Sequence, residues 1–188
     1  MRIVAGKFRG KQLISPSDDS IRPTADRVRE SMFNILASRL GPVFDGLRVL
    51  DLFAGTGALG FEALSRGAAH ATFVDIGAEA RGLVRDHIEA FGVGGITKLL
   101  RRDATELGVP GTFGKFDLVF LDPPYGQGLG EKALAGLLAN GWLADDAVIV
   151  FEESVEAEVA IPEGFVLDDR REYGAAAVHF LSLAEAQA

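Results

Sequence analysis

Between residues 47 and 151, short apolar runs alternate with stretches of helical periodicity, and this alternation restricts the fold more than any other feature. The runs cover residues 47–53, 71–75, 96–100, 118–121 and 147–151. Helices are expected through Leu64 to Arg66, over residues 79–91 and over residues 131–140. The run from Leu118 to Leu121 lacks polar alternation, as expected of a strand buried on both faces. Strand and helix signals in turn describe a parallel sheet flanked by helices, an α/β fold. Two further strand candidates, residues 165–167 continuing toward Tyr173 and residues 176–183, flank Gly174 and read as a hairpin. A chain of 188 residues with 48% apolar content can bury one sizeable core, so one domain with a small appendage is expected.

Acidic residues stand at the ends of the strand signals, where open parallel sheets place their ligands. Asp51 lies four residues ahead of Gly55-Thr56-Gly57-Ala58-Leu59-Gly60, a stretch that satisfies the G-x-G-x-x-G pattern of dinucleotide sites. A carboxylate there repels a pyrophosphate and attracts an ammonium group. S-adenosylmethionine carries an amino group, a sulfonium and a ribose but no phosphate, so an acidic, glycine-lined pocket suits this methyl donor better than NAD. Asp75 falls twenty-four residues after Asp51, one βαβ step along, and is suited to chelating two ribose hydroxyls. Asp103 has two readings: it accepts a hydrogen bond from the adenine amine, with the Ala104 N–H facing the ring edge, or it caps a short turn over residues 104–107. His87 is expected to be a partly buried helix residue and not a ligand.

The stretch from Phe116 to Tyr125 ends in Asp122-Pro123-Pro124-Tyr125. Each proline fixes φ near −65° and lacks an N–H, and Asp122, preceding a proline, is driven to extended geometry. A stiff edge of acceptors follows. The Asp122 carboxylate and the Pro123 carbonyl can both accept from one exocyclic amine, and the Tyr125 ring offers a face for a planar base. The lone pair of such an amine is delocalised into its ring, so methylating it requires holding both N–H groups and turning the lone pair toward an electrophile. Gly126, Gln127, Gly128 and Gly130 then form a flexible loop suited to closing over a substrate.

The amino-terminal end differs in charge from the rest. Residues 1–30 hold seven basic and four acidic side chains, net +3, within a chain of net charge −8, so the remainder carries −11. Arg2, Lys7, Arg9 and Lys11 have no acid among them, and the segment, broken by Gly6 and Gly10, reads as a small hairpin with Lys7, Phe8 and Arg9 near its bend. After a polar loop, Thr24 is a candidate N-cap, and Val28, Met32, Ile35 and Leu36 share one face of a helix reaching about Leu40. Arg22, Arg27 and Arg29 near its start oppose the helix dipole, which points to placement for an anion or an acidic partner, with plain solvent exposure as the alternative. Residues 1–20 are therefore expected to be a hairpin extension, its basic groups either an electrostatic handle for a polyanion or a solvated terminus, independent of the donor site, on a main domain spanning residues 21–188. The absence of cysteine excludes a disulfide framework and a thiolate zinc site, and His70, His87 and His179 are too scattered for a metal cluster. Without a leader or an apolar window approaching ~18 residues, a cytoplasmic protein is expected.

Asp51-x-Phe53-Ala54-Gly55-x-Gly57, Asp75, Asp103 and Asp122-Pro123-Pro124-Tyr125, in that order, resemble a class I S-adenosylmethionine-dependent methyltransferase. The opening Arg2-Ile3-Val4-Ala5-Gly6-Lys7-Phe8-Arg9-Gly10-Lys11, together with Arg22-Pro23-Thr24-x-Asp26-Arg27-Val28-Arg29-Glu30, Phe33-Asn34-x-Leu36 and Gly60-x-Glu62-Ala63-Leu64-Ser65-Arg66-Gly67, narrows the resemblance to the RsmD family. That resemblance implies a Rossmann-like sheet of seven strands, mostly parallel, with an antiparallel carboxy-terminal hairpin. It implies methyl transfer to a guanine N2 in 16S ribosomal RNA, within a partly or fully assembled small subunit, by a monomer. Asp51 would face the methionine amine, Phe53, Ala54, Gly55, Gly57 and Ile76 would line the donor, Asp75 would hold the ribose, and Asp103 with Ala104 would read the adenine. Asp122, Pro123, Pro124 and Tyr125 would form the catalytic segment, with Asp122 also beside the donor. Arg2, Lys7, Phe8, Arg9, Lys11, Arg22, Arg27 and Arg29 would contact RNA. The competing readings are an adenine-N6 or protein-amide methyltransferase, a nicotinamide-dependent reductase, and a non-catalytic RNA-binding factor.

Overall fold

The computed structural model describes residues 1–17 and 25–185. Seven strands, β1 (Arg48–Leu52), β2 (His70–Val74), β3 (Thr97–Leu100), β4 (Phe116–Leu121), β5 (Leu143–Ser154), β6 (Phe165–Tyr173) and β7 (Ala176–Leu183), form one sheet in the order β3-β2-β1-β4-β5-β7-β6. The first five are parallel, while β7 runs antiparallel to both β5 and β6. Helices α1 (Asp26–Leu40), α2 (Ala58–Ser65), α3 (Ala78–Phe91) and α4 (Leu129–Ala139) complete the fold. This is the Rossmann-like arrangement expected, with Gly174 turning the final hairpin at φ 61°. Several boundaries move by one or two residues; among them Ile96 belongs to a 3-10 turn ahead of β3, while β5 begins earlier still because Leu143 already pairs with Phe116 before a register shift. The candidate N-cap Thr24 lies outside the described residues, and α1 starts after Ala25 without a side-chain cap bond. Among the described residues no helix is long and apolar enough to cross a membrane.

The sheet separates two apolar layers. Phe33, Phe61, Phe73, Phe120 and Phe180 centre the layer beneath α1, α2 and α3. Leu134, Leu137 and Trp142 pack with Phe116, Val119 and Leu121 in the layer beneath α4. Trp142 is fully buried, its Nε1–H donates to the Gly108 carbonyl at 2.7 Å, and its ring lies 6.0 Å from that of Phe116. A buried indole needs such a partner.

The amino-terminal segment belongs to the first layer, since Ile3 and Leu13 are buried in it. Its ends are closed by the Ile3 N–H to Lys11 carbonyl and Leu13 N–H to Met1 carbonyl bonds, a hairpin reduced to one bridge between Arg2 and Gln12. Glu62, wholly buried on α2, accepts the backbone N–H of Val4 (2.9 Å) and Ala5 (3.0 Å), and a buried carboxylate requires this kind of satisfaction. Glu62 also pairs with Arg66 at 3.1 Å and Arg29 at 3.5 Å. Arg29 is thereby corrected as a nucleic-acid contact. Its side chain is 0% exposed, bonded to Asp26 (2.9 Å) and to the Arg2 carbonyl, and internal carboxylates rather than an external anion neutralise it. The boundary expected at residue 20, and Arg22, fall outside the described residues.

Candidate active site

The carboxyl ends of β1, β2 and β4 surround a cavity of about 640 Å³, within the size range of cofactor sites. It brings together Asp51, Phe53, Ala54, Gly55, Asp75, Ile76, Asp122, Pro123, Pro124 and Tyr125. The parallel register explains the convergence: Asp51 pairs with Phe120 on β4 and Phe73 on β2, so the residues just beyond these strands open onto one mouth. Asp51 is 1% exposed, and its Oδ2 accepts the Gly60 N–H at 3.0 Å. Burial pushes its carboxyl up to about 8, opposed by the Gly60 bond and assisted by the negative charge of Asp75. Asp75 fastens two turns, accepting the Gly55 N–H at 3.0 Å and the Gly77 N–H at 2.7 Å. Each carboxylate oxygen retains a lone pair for a further donor. Phe53 holds φ 55°, a left-handed conformation costly for a bulky residue, at the point where β1 turns into the cavity wall.

The glycines divide by task. Gly55 lines the cavity, whereas Gly57 does not. A Cβ on Gly57 would stand 2.6 Å from the Phe61 ring, and one on Gly60 would stand 2.4 Å from Phe73, so these positions let α2 lie close on β2 and let the Gly60 N–H reach Asp51. Gly57 therefore has a packing role set by the Phe61 and Phe73 rings. Asp103 and Ala104 do not line the cavity either. Asp103 Oδ1 accepts the Thr105 N–H at 2.8 Å and its hydroxyl at 2.7 Å, bonds that hold its carboxyl below the usual range; the turn-capping alternative describes it here. Ala104 is buried in the second apolar layer.

At the mouth, Asp122 follows β4 and the Tyr125 hydroxyl donates to Glu152. Glu153 accepts the Gly126 N–H at 2.9 Å and the Ser154 N–H at 2.6 Å. Glu152 and Glu153 are buried at the carboxyl end of β5, where Leu121 pairs with Phe151, so the two strand ends hold the Pro-Pro segment between them. Sequence reasoning missed this pair. The available signal was two consecutive acids closing an apolar strand on the ligand side of the sheet.

Among the described residues, the remaining cationic candidates lie on the amino-terminal segment and at the start of α1. Lys7, Arg9 and Lys11 are exposed, with the ammonium groups of Lys7 and Lys11 4.9 and 5.0 Å from the centre of the Phe8 ring. Phe8 is itself stacked on Phe91 at 5.1 Å, so it serves as the platform on which this basic surface rests. Arg2 reaches Asp26 at 3.7 Å, and exposed Arg27 lines a shallow polar groove with Asn34 and Arg171.

The family described as conserved hypothetical protein 95 matches residues 1–182. Ribosomal RNA small subunit methyltransferase D of Escherichia coli K12 is 40% identical over 156 residues, 83% of this chain and 76% of its own length. The chain belongs to the RsmD family. The solved structure of the Escherichia coli protein yhhF superposes with a TM-score of 0.82 at 33% identity, covering 97% of both chains, so the family likeness extends through the sheet and the amino-terminal segment alike. A more distant relative, the tRNA (guanine(6)-N2)-methyltransferase of Thermus thermophilus, is 36% identical over 110 residues, which are 56% of this chain and 32% of that protein.

Proposed function

We propose that the protein transfers the methyl group of S-adenosylmethionine to the exocyclic N2 of a guanine in 16S ribosomal RNA. The observation that carries this reading is the presence of Asp122-Pro123-Pro124-Tyr125 on the same cavity as Asp51 and Asp75. The donor supplies an electrophilic methyl on a sulfonium, and the residues present suit it. Asp51 offers a buried carboxylate to its ammonium, Asp75 offers acceptors to its ribose hydroxyls, and the stretch from Phe53 to Gly55 gives an uncharged wall. A buried acid inside the cavity disfavours the pyrophosphate of a nicotinamide cofactor.

Asp122 and the Pro123 carbonyl hold the two N–H groups of the target amine, while Tyr125, fixed through its hydroxyl by Glu152, presents its ring to the base. Held so, the amine lone pair would be free to take the donor's methyl as the sulfur–methyl bond breaks, leaving S-adenosylhomocysteine, and the surplus proton would pass to solvent; this chain's part would be positioning and electrostatics. Guanine N2 is chosen over adenine N6 because the RsmD resemblance and the tRNA guanine-N2 relative point to the same amine. The base must be extruded from its stack, at a cost of about a few kcal/mol, and Lys7, Arg9 and Lys11 with Arg2 and Arg27 supply compensating contacts to the RNA backbone. Residues 1–20 act as this RNA-binding extension, and the substrate is an assembling or assembled small subunit met in the cytoplasm by a monomer.

Mass spectrometry of 16S ribosomal RNA from cells lacking the protein tests the reading. One N2-methylguanosine should disappear, return with the wild-type gene, and stay absent with Asp122→Ala, although that variant should still bind S-adenosylhomocysteine in calorimetry. Unchanged ribosomal RNA methylation, or binding of NADH in place of S-adenosylhomocysteine, would refute it.

A further inference from the structure

We infer that His87 is a positioning residue for the donor loop, and that through it the amino-terminal segment forms a working part of the donor site. His87 sits on the inner face of α3, 1% exposed, with its ring edge-on to Phe61 at 5.6 Å and stacked on Phe91 at 6.1 Å. Its Nδ1 lies 2.9 Å from the Thr56 carbonyl oxygen, and its Nε2 lies 2.8 Å from the Ile14 backbone nitrogen. A carbonyl only accepts and a backbone N–H only donates. Nδ1 therefore carries the hydrogen, Nε2 presents its lone pair, and the imidazole is a neutral bridge in a single tautomer.

Each end of the bridge matters. Thr56 lines the cavity beside Gly55, whose N–H is given to Asp75, so the His87 bond fixes the turn that the donor must lie against. Ile14 belongs to the segment that carries Lys7, Arg9 and Lys11. Three residues on, Ser17 donates its N–H (2.8 Å) and its hydroxyl (2.5 Å) to Glu79, which also lines the cavity. The segment thus grips the donor wall at two points, one through His87 and one directly. This departs from the independence expected of the extension, and it makes donor affinity sensitive to residues that never touch the donor.

The inference rests on reading the cavity as the S-adenosylmethionine site, and the test separates the two. Calorimetry with S-adenosylhomocysteine is run on the full chain and on Ile14→Pro, His87→Phe and His87→Asn, with nitrogen-15 imidazole spectra of the wild type. Ile14→Pro deletes the N–H of a residue that is 52% exposed, so no buried residue is replaced even if His87→Phe fails to fold. The expected results are an Nδ1–H ring in the wild type and about tenfold weaker binding in Ile14→Pro and His87→Phe. His87→Asn, whose amide nitrogen stands near the Nδ1 position, should lose less. An Nε2–H ring, or Ile14→Pro and His87→Phe that both bind like the wild type, would overturn the role of His87 alone. A wild-type protein with the Nδ1–H ring but no affinity for S-adenosylhomocysteine would overturn the donor reading and this inference with it.

Discussion

If Asp51 pairs with the donor's ammonium as proposed, donor binding should be a proton-release reaction. Its buried carboxyl is pushed up to about 8 in the unliganded protein, yet pairing with the donor's ammonium requires the carboxylate. At pH 7 a group with that pKa is about 90% protonated, so each binding event should release about 0.9 proton. Between pH 6 and 7 the ionised fraction, and with it the affinity, rises about ninefold, or ~1.3 kcal/mol. Calorimetric titration with S-adenosylhomocysteine in two buffers of different ionisation enthalpy measures the proton directly, and the same titration across pH 6 to 7.5 measures the slope. The stability of the free protein should move the opposite way. Because the folded pKa lies above the ordinary value of 3.8, the Asp51 contribution is fully present below pH 3.8 and is lost as pH rises through about 8. Asp51→Asn keeps an acceptor for the Gly60 N–H while removing the titration, so it should bind weakly with a flat pH profile. No proton release, and affinity constant from pH 6 to 7, would refute the reasoning.

The other predictions concern the mouth and the basic surface. Replacing Lys7, Arg9 and Lys11 by alanine should lower the slope of log affinity for RNA against log salt by about 2, as three lost phosphate contacts to a single strand require. Arg29→Ala should leave that slope unchanged and instead cost ~3 kcal/mol in chemical denaturation, because it removes the buried cation shared by Asp26 and Glu62 and leaves Arg66 as the remaining ion-pair partner of Glu62; a changed slope with intact stability would reverse the assignment. Tyr125→Phe and Glu152→Leu remove opposite ends of one hydrogen bond, so their effects on kcat should be coupled by about 1 kcal/mol in a double-mutant cycle. Strict additivity would mean that the bond does not orient the ring. Tyr125→Ala, which removes the stacking face as well, should cost a further ~1–3 kcal/mol in binding a single-stranded substrate.

What the sequence reveals here depends on how locally a role is encoded. Residues 118–121 are apolar without interruption and are followed by two prolines, so a buried strand and its exit are written in adjacent letters. The same holds for Asp51 and Gly55 at the end of β1, Asp75 at the end of β2 and Asp122 at the end of β4. Arg29 fails this condition. At a helix start it has the spacing of an exposed cation, and only Glu62, thirty-three residues away on another helix, reveals it as internal. Gly57 and Gly60 satisfy a ligand-binding pattern, yet what they accommodate is the ring of Phe61 or Phe73, a steric fact that no local pattern carries. Glu152, Glu153 and His87 were visible as residues but not as partners, because Tyr125, Gly126, Ile14 and Thr56 meet them only through tertiary folding.

The burial of Trp142 on the α4 side of the sheet has an experimental use. It is the protein's single tryptophan, and it lies in the layer opposite the one that anchors the amino-terminal segment. Intrinsic emission should therefore follow the melting of that rear layer and stay indifferent to detachment of the front strap. Far-ultraviolet dichroism or limited proteolysis would register such detachment first, and the gap between the two signals would measure how far the protein departs from a single cooperative transition.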